Sequence, residues 1–111
     1  MNDSELLKLA AKASGVLHES WYENDSYWAG LLSNWNPLED DGDALRLAVK
    51  LELDIYNSCI SVRAIHRDRN TGASVKCRGN NPQMDPYSAT RRAIVRAAAE
   101  IGKSMTGDED G

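Results

Sequence analysis

The chain has 111 residues, about the length of one domain, and 41% of them are apolar, which is enough for a single hydrophobic core. Its mild net charge of -4 argues against a protein that coats nucleic acid, and no apolar run is long enough to span a bilayer. The amino terminus is acidic and lacks the basic start of a secretory signal. Cys59 and Cys77 lack the spacing of a metal site, so we expect a cytoplasmic protein with reduced thiols.

Residues 3–14 are predicted to form the first helix. Asp3 or Ser4 would cap it, because a short side-chain oxygen accepts a hydrogen bond from the free amides of the first turn. Gly15 would end it, since glycine adopts the left-handed conformation without penalty. The expected buried stripe consists of Leu6, Leu9, Ala10 and Ala13.

Aromatic pairs dominate the next segment, 16–35. Trp21 and Tyr22 precede a polar turn, and Tyr27 and Trp28 follow it, which favours a short hairpin. Exposed aromatic rings suit protein interfaces, because they desolvate a large area with few rotatable bonds. These four residues are therefore candidate partner-binding residues, and burial in the core is the alternative.

The second helix is predicted over about 41–52. Asn36-Pro37 opens a turn before it, because proline disfavours helical geometry in its predecessor. Asp40 or Asp41 would cap it, and we expect the acids here to stabilise the helix start rather than to bind a cation. The expected solvent face consists of Asp43, Arg46 and Lys50.

Residues 55–67 alternate apolar and polar side chains, with Val62 and Ala64 on one face, which is typical of a half-buried strand. A polar turn at 68–72 leads to a second strand at about 73–78, so the two form a hairpin. Its outer face would collect the basic side chains Arg63, Arg67, Lys76 and Arg78.

Residues 86–105 are predicted to form the last helix, with Pro86 in its first turn, where a missing amide hydrogen costs nothing. The acidic tail at 106–111 is expected to be disordered. The chain therefore predicts one α+β domain over 1–105, an antiparallel sheet of about four strands (two hairpins) covered by three helices, in the order α-β-β-α-β-β-α. The predicted core consists of Leu45, Leu47, Val49, Ile60, Val62, Ile94, Ala98 and Ile101.

Three stretches carry a family resemblance: ELLKLAAKA at 5–13, WNPL followed by DDGDALRLAVKL at 35–51, and ATRRAIVRAAAEIG at 89–102. Together they resemble small phage and prophage proteins of the NinX group, which are described as phage α-β-α sandwich domains. The resemblance touches most of residues 5–105. It implies a phage gene product that acts in a bacterial cytoplasm, and it brings no activity or active site with it.

Positive charge concentrates between Arg63 and Arg96, where eight Lys and Arg accompany only two acids. Such a segment could form an anion-binding face, and guanidinium forks grip a phosphate at two points. The candidate ligand-binding residues are Arg63, Arg67, Lys76, Arg78, Arg91, Arg92 and Arg96. The alternative is a set of solvated faces balanced by nearby acids, including a pair between Arg96 and Glu100.

Neither histidine, His18 or His66, belongs to a catalytic motif, and we expect no catalytic residue, metal or cofactor. The leading hypothesis is a non-enzymatic phage or prophage accessory protein, a small binding module that acts on a host or phage protein, for example to inhibit a host defence. The alternative hypothesis is a binder of a nucleotide or another phosphorylated ligand through the basic residues. Nucleic acid itself fits the low isoelectric point poorly, and the oligomeric state is not predicted.

Overall fold

The computed structural model describes residues 2–15, 34–57, 61–66, 71–76 and 85–106. These residues form three helices and one three-stranded sheet, so the described part of the chain is α+β, as the sequence predicts. In chain order the elements are α1 (Asp3–Ser14), α2 (Asp41–Lys50), β1 (Leu53–Asn57), β2 (Ser61–His66), β3 (Thr71–Lys76) and α3 (Pro86–Thr106).

Three strands are found among the described residues, whereas four were expected for the whole chain. The described sheet has the order β1-β2-β3 and is antiparallel throughout. The predicted single strand over 55–67 is wrong, because Asn57 pairs with Val62 and two antiparallel strands share this range. The core-facing side chains are Leu53 and Ile55 in β1 but Val62 and Ala64 in β2, so the phase of the alternation changes between the two strands. A single period over 55–67 overlooked this change. The first predicted hairpin falls in the segment 16–35. Residues 16–33 lie outside the described residues, and Asn34 and Trp35 are not in a strand.

The bounds of α1 and its end at Gly15 are as predicted, whereas its capping residue is not Asp3 or Ser4, and its predicted buried stripe is confirmed only at Leu6 and Ala10. Asn2 caps α1, because its side chain accepts a hydrogen bond from the Glu5 amide while the Glu5 carboxylate accepts one from the Asn2 amide. Gly15 closes the helix at φ 72°. Leu and Ala side chains lie on adjacent stripes of this helix, and the stripe that contacts α3 is the buried one. The buried residues are Leu6, Leu7, Ala10, Ala11 and Ser14.

A rigid turn precedes α2. The Asn36 side chain accepts a hydrogen bond from the Leu38 amide, and the Asp40 side chain caps the helix by accepting one from the Asp43 amide. Asp43 was expected to face solvent, but it is buried and its carboxylate accepts from the Asn36 amide at 2.9 Å. This carboxylate therefore ties the first turn of the helix to the turn that precedes it.

Helix α2 buries only a narrow face, made of Asp43, Ala44, Leu47 and Ala48. Leu45 and Val49 were predicted to lie in the core, and this prediction is wrong, since they are 64% and 69% exposed. Among the other predicted core residues, Ile60 lies outside the described residues. The structure confirms burial of Leu47, Val62, Ile94, Ala98 and Ile101.

One face of the sheet packs against helices. Val62 pairs with Val75 and Ala64 pairs with Ala73, and this face contacts α3. The register places Arg63 between Tyr56 and Ser74 on the other face. Within the described ranges, none of the helices is long and apolar enough to cross a membrane.

Helix α3 lies at the centre of the described elements, because it contacts all three strands as well as α1 and α2. Its sequence suits this position, since small side chains let neighbouring backbones approach closely. The buried small residues of α3 are Ala89, Ala93, Ala97, Ala98, Ala99 and Gly102. At Gly102 the approach is closest: a Cβ added there would overlap the carbonyl oxygen of Leu9 and lie 2.8 Å from its carbonyl carbon.

We predict that Gly102→Ala lowers the free energy of unfolding by roughly 1–3 kcal/mol, because the added methyl group meets backbone that cannot rotate away. Gly42→Ala in α2 is the matched control. There the new Cβ would meet side-chain atoms, the capping Asp40 Oδ2 at 3.1 Å and Arg46 Nη1 at 3.3 Å, and movements of a few tenths of an ångström that keep the cap would relieve both contacts. We expect the control to stay within about 0.5 kcal/mol of the wild type in chemical denaturation. Equal effects of the two substitutions would contradict this packing.

Candidate functional site

Arg91, one of the predicted ligand-binding residues, is already occupied. Its Nε donates to the Leu38 carbonyl oxygen at 2.9 Å, and its two terminal nitrogens donate to Asp41 at 2.6 Å and to Ser88 Oγ at 3.0 Å. The side chain is only 17% exposed. Arg91 thus joins the first turns of α3 to the turn that precedes α2, and each of its three nitrogens already donates to an acceptor within the protein.

Arg92 makes a second clamp on a different side of α3. Its two terminal nitrogens donate to the two carboxylate oxygens of Asp3 at 3.0 and 3.3 Å, so the pair is bidentate and joins α3 to the start of α1. The Arg92 hydrogen bond lowers the pKa of Asp3, against the opposing effect of burial, and the charges of Arg92 and Arg96 add to the lowering. Asp3 therefore stays ionised well into the acidic range.

The other candidate residues lie elsewhere or outside the described part. Arg63 stands over the Tyr56 ring, 5.4 Å from its centroid, on the sheet face that points away from α3. Arg67 and Arg78 are not described, and of Lys76 only the backbone position is. The structure brings Arg92 and Arg96 to one surface, and it places Arg63 and Arg91 at two others.

An apolar cleft, hereafter the α2 cleft, opens between α2, β1 and the first turns of α3. Its volume is about 420 Å³. Most of its lining is aliphatic or aromatic, and two of the lining side chains, Leu45 and Tyr87, are 64% and 71% exposed. The lining residues are Asp41, Ala44, Leu45, Ala48, Ile55, Asn57, Tyr87, Thr90, Arg91 and Ile94.

The polar part of the α2 cleft is fixed by the first clamp. Asp41 and Arg91 are paired with each other at 2.6 Å at its rim, so their charges compensate. Val49 follows Leu45 by one turn on α2 and extends the apolar surface beyond the cleft. The arrangement offers apolar contact with a neutral polar edge, which is a surface for recognition rather than for proton transfer.

Sequence reasoning missed this cleft, although one signal was present. The predicted apolar face of α2 included both Leu45 and Leu47, which stand about 200° apart around a helix and cannot both face one neighbour.

The four aromatic residues predicted to bind a partner, Trp21, Tyr22, Tyr27 and Trp28, lie outside the described residues. Among the described residues, no group of three or more His, Cys, Asp or Glu is placed to hold a metal ion.

Comparisons with known proteins found no match to this chain among family models, curated proteins or solved structures. The resemblance to small phage proteins therefore stays a prediction from the stretches at 5–13, 35–51 and 89–102.

We predict that Arg91→Lys lowers the free energy of unfolding by about 1–3 kcal/mol, because lysine keeps the charge but cannot reach three acceptors in a fixed fork. The buried Leu38 carbonyl would then lose its donor. Arg96→Lys, in the exposed position five residues along the same helix, is the control and should change stability by less than about 0.5 kcal/mol. Urea denaturation of the two variants measures both values, and an equal loss in both would rule out the clamp.

The Asp3–Arg92 clamp should make stability depend on pH in the acidic range. Because the folded pKa of Asp3 is lowered below the unfolded value of about 3.9, its contribution is complete above pH ~4 and is lost as the pH falls through the folded pKa. Asp3 is largely exposed, so the contribution is at most about 1 kcal/mol. Melting temperatures of the wild type and Asp3→Asn should differ at neutral pH and converge in acid. A difference that is constant with pH would contradict the assignment.

Proposed function

We propose that this protein is a non-enzymatic binding module that docks a partner protein at the α2 cleft. The observation that carries the proposal is the exposure of Leu45, Val49 and Tyr87 around an apolar cleft. Large apolar side chains on a folded surface are costly to leave in water when they are contiguous, and such patches mark interaction sites. A partner that covers these side chains would remove them from water and so stabilise the complex.

The chemistry of the α2 cleft selects the kind of partner. A volume of about 420 Å³ accommodates one or two large apolar side chains. Tyr87 at the rim supplies an aromatic contact that loses little conformational entropy on binding. The occupant we propose is therefore an amphipathic segment of another protein that inserts an aliphatic or aromatic anchor between α2 and α3.

The paired charges at the rim also favour a binding role. Since Asp41 and Arg91 neutralise each other, the cleft does not concentrate charge that would attract a phosphorylated ligand. Together with the resemblance to small phage proteins, this supports a phage or prophage accessory protein in the bacterial cytoplasm whose partner is a host or phage protein. Inhibition of a host defence is one such role.

A matched pair of tyrosine variants tests the proposal. Tyr87→Ala removes an exposed ring at the α2 cleft, whereas Tyr56→Ala removes an exposed ring from the outer sheet face. Immobilised wild type, Tyr87→Ala, Tyr56→Ala and Leu45→Glu proteins are each incubated with a bacterial lysate, and bound proteins are quantified by mass spectrometry. Proteins that the wild type and all three variants retain equally are treated as background.

We expect at least one protein that binds the wild type and Tyr56→Ala but is reduced about tenfold or more by Tyr87→Ala and Leu45→Glu. The purified partner should then shift the amide signals of Ala44, Ala48 and Ile55 in NMR spectra. Because the substituted side chains are exposed, melting temperatures should remain close to that of the wild type. Binding that depends on Tyr56 and not on Tyr87 would move the interface to the sheet face and reject the proposal.

A further inference from the structure

The α2 cleft lies between α2, β1 and α3. A second cleft, hereafter the α1 cleft, lies between α1, β3 and α3. Its volume is about 350 Å³, which is near the lower end of small-molecule sites. Leu6 and Ala73 provide an apolar side, while α3 contributes charged residues along one stripe. The lining residues are Leu6, Gly72, Ala73, Arg92, Arg96 and Glu100.

The charged residues of the α1 cleft fall into two groups. Arg92 is held by Asp3 in the bidentate pair described above, so this pair is electrically balanced. Arg96 and Glu100 are exposed and stand one helical turn apart, a spacing at which opposite charges often pair. The predicted pair between them is nevertheless not formed, and neither side chain has a hydrogen bond or a close ion pair with another described residue. Arg96 acts on Asp3 only through its charge, without a direct contact.

We propose that the α1 cleft binds a small zwitterion of the α-amino acid class with an apolar side chain. The Arg96 guanidinium would donate to the carboxylate of the ligand, and the Glu100 carboxylate would accept from its ammonium group. Leu6 and Ala73 would contact the side chain. The Arg96 and Glu100 charges then each contact an opposite charge on one ligand molecule.

The charge balance is what separates this ligand from a phosphate. Arg92 with Asp3, and Arg96 with Glu100, sum to no net charge, so a bound zwitterion leaves the cleft neutral. A phosphate carrying about two negative charges would leave it strongly negative and would stand close to Glu100, where like charges repel. A ligand with only a carboxylate or only an ammonium would leave one of the two α3 charges unpaired.

Calorimetric titration of the full chain with four probes tests the proposal. L-Leucine carries both charges and an apolar side chain, isovalerate carries only the carboxylate, isopentylamine carries only the ammonium, and inorganic phosphate is the anion control. We expect leucine to bind about tenfold tighter than isovalerate or isopentylamine, since each of these leaves one charged group unpaired. Leucine should also shift the NMR amide signals of Leu6 and Ala73.

Charge-removing variants complete the test. Arg96→Gln and Glu100→Gln should each weaken leucine binding about tenfold, and both should fold normally because the residues are exposed. Lys50→Gln and Glu39→Gln remove matching exposed charges outside the cleft and should leave the affinity unchanged. Absence of leucine binding, phosphate binding tighter than leucine, or an unchanged affinity in Glu100→Gln would each overturn the proposal. The α2 cleft proposal does not depend on the result.

Discussion

The close contact between Gly102 of α3 and the backbone of Leu9 in α1 is the constraint on which the described structure depends. An alanine at position 102 would overlap a carbonyl oxygen, so this one position sets how near the two helices lie. Alanines along the rest of α3 allow the same helix to contact the sheet and α2. A central helix with larger side chains would separate these layers and leave gaps that cost stability.

Two successive arginines then fix the orientation of the elements around α3. Arg91 binds the turn before α2, and Arg92 binds Asp3 at the start of α1. Neighbouring residues on a helix point about 100° apart, so consecutive arginines reach helices on two different sides. This use of cations for assembly explains why a basic stretch of sequence does not become a single anion-binding surface.

The functional surfaces follow from what this assembly leaves uncovered. Helix α2 contacts its neighbours along Ala44, Leu47 and Ala48, so Leu45 and Val49 remain exposed beside the cleft that also contains Tyr87. In the α1 cleft, Arg96 and Glu100 line one wall and are not paired with each other. The α2 cleft is apolar and the charges at its rim are paired, whereas the α1 cleft is charged and has one apolar side. We therefore assign the two clefts different classes of ligand.

The sequence by itself determined the three helices and the hairpin of β2 and β3, but not the separation of β1 from β2. Gly15, Asp40 and Pro86 mark helix ends through their backbone and capping chemistry, and the alternation around Val62 and Val75 identifies the paired strands β2 and β3. Only the tertiary structure decided that Leu45 is exposed, that Asp43 is buried, and that Arg91 binds Leu38, 53 residues away. Periodicity describes the spacing of side chains along one element. Which of two apolar stripes is buried, and which acceptor a long cation reaches, depends on the position of a neighbouring element that local spacing does not encode.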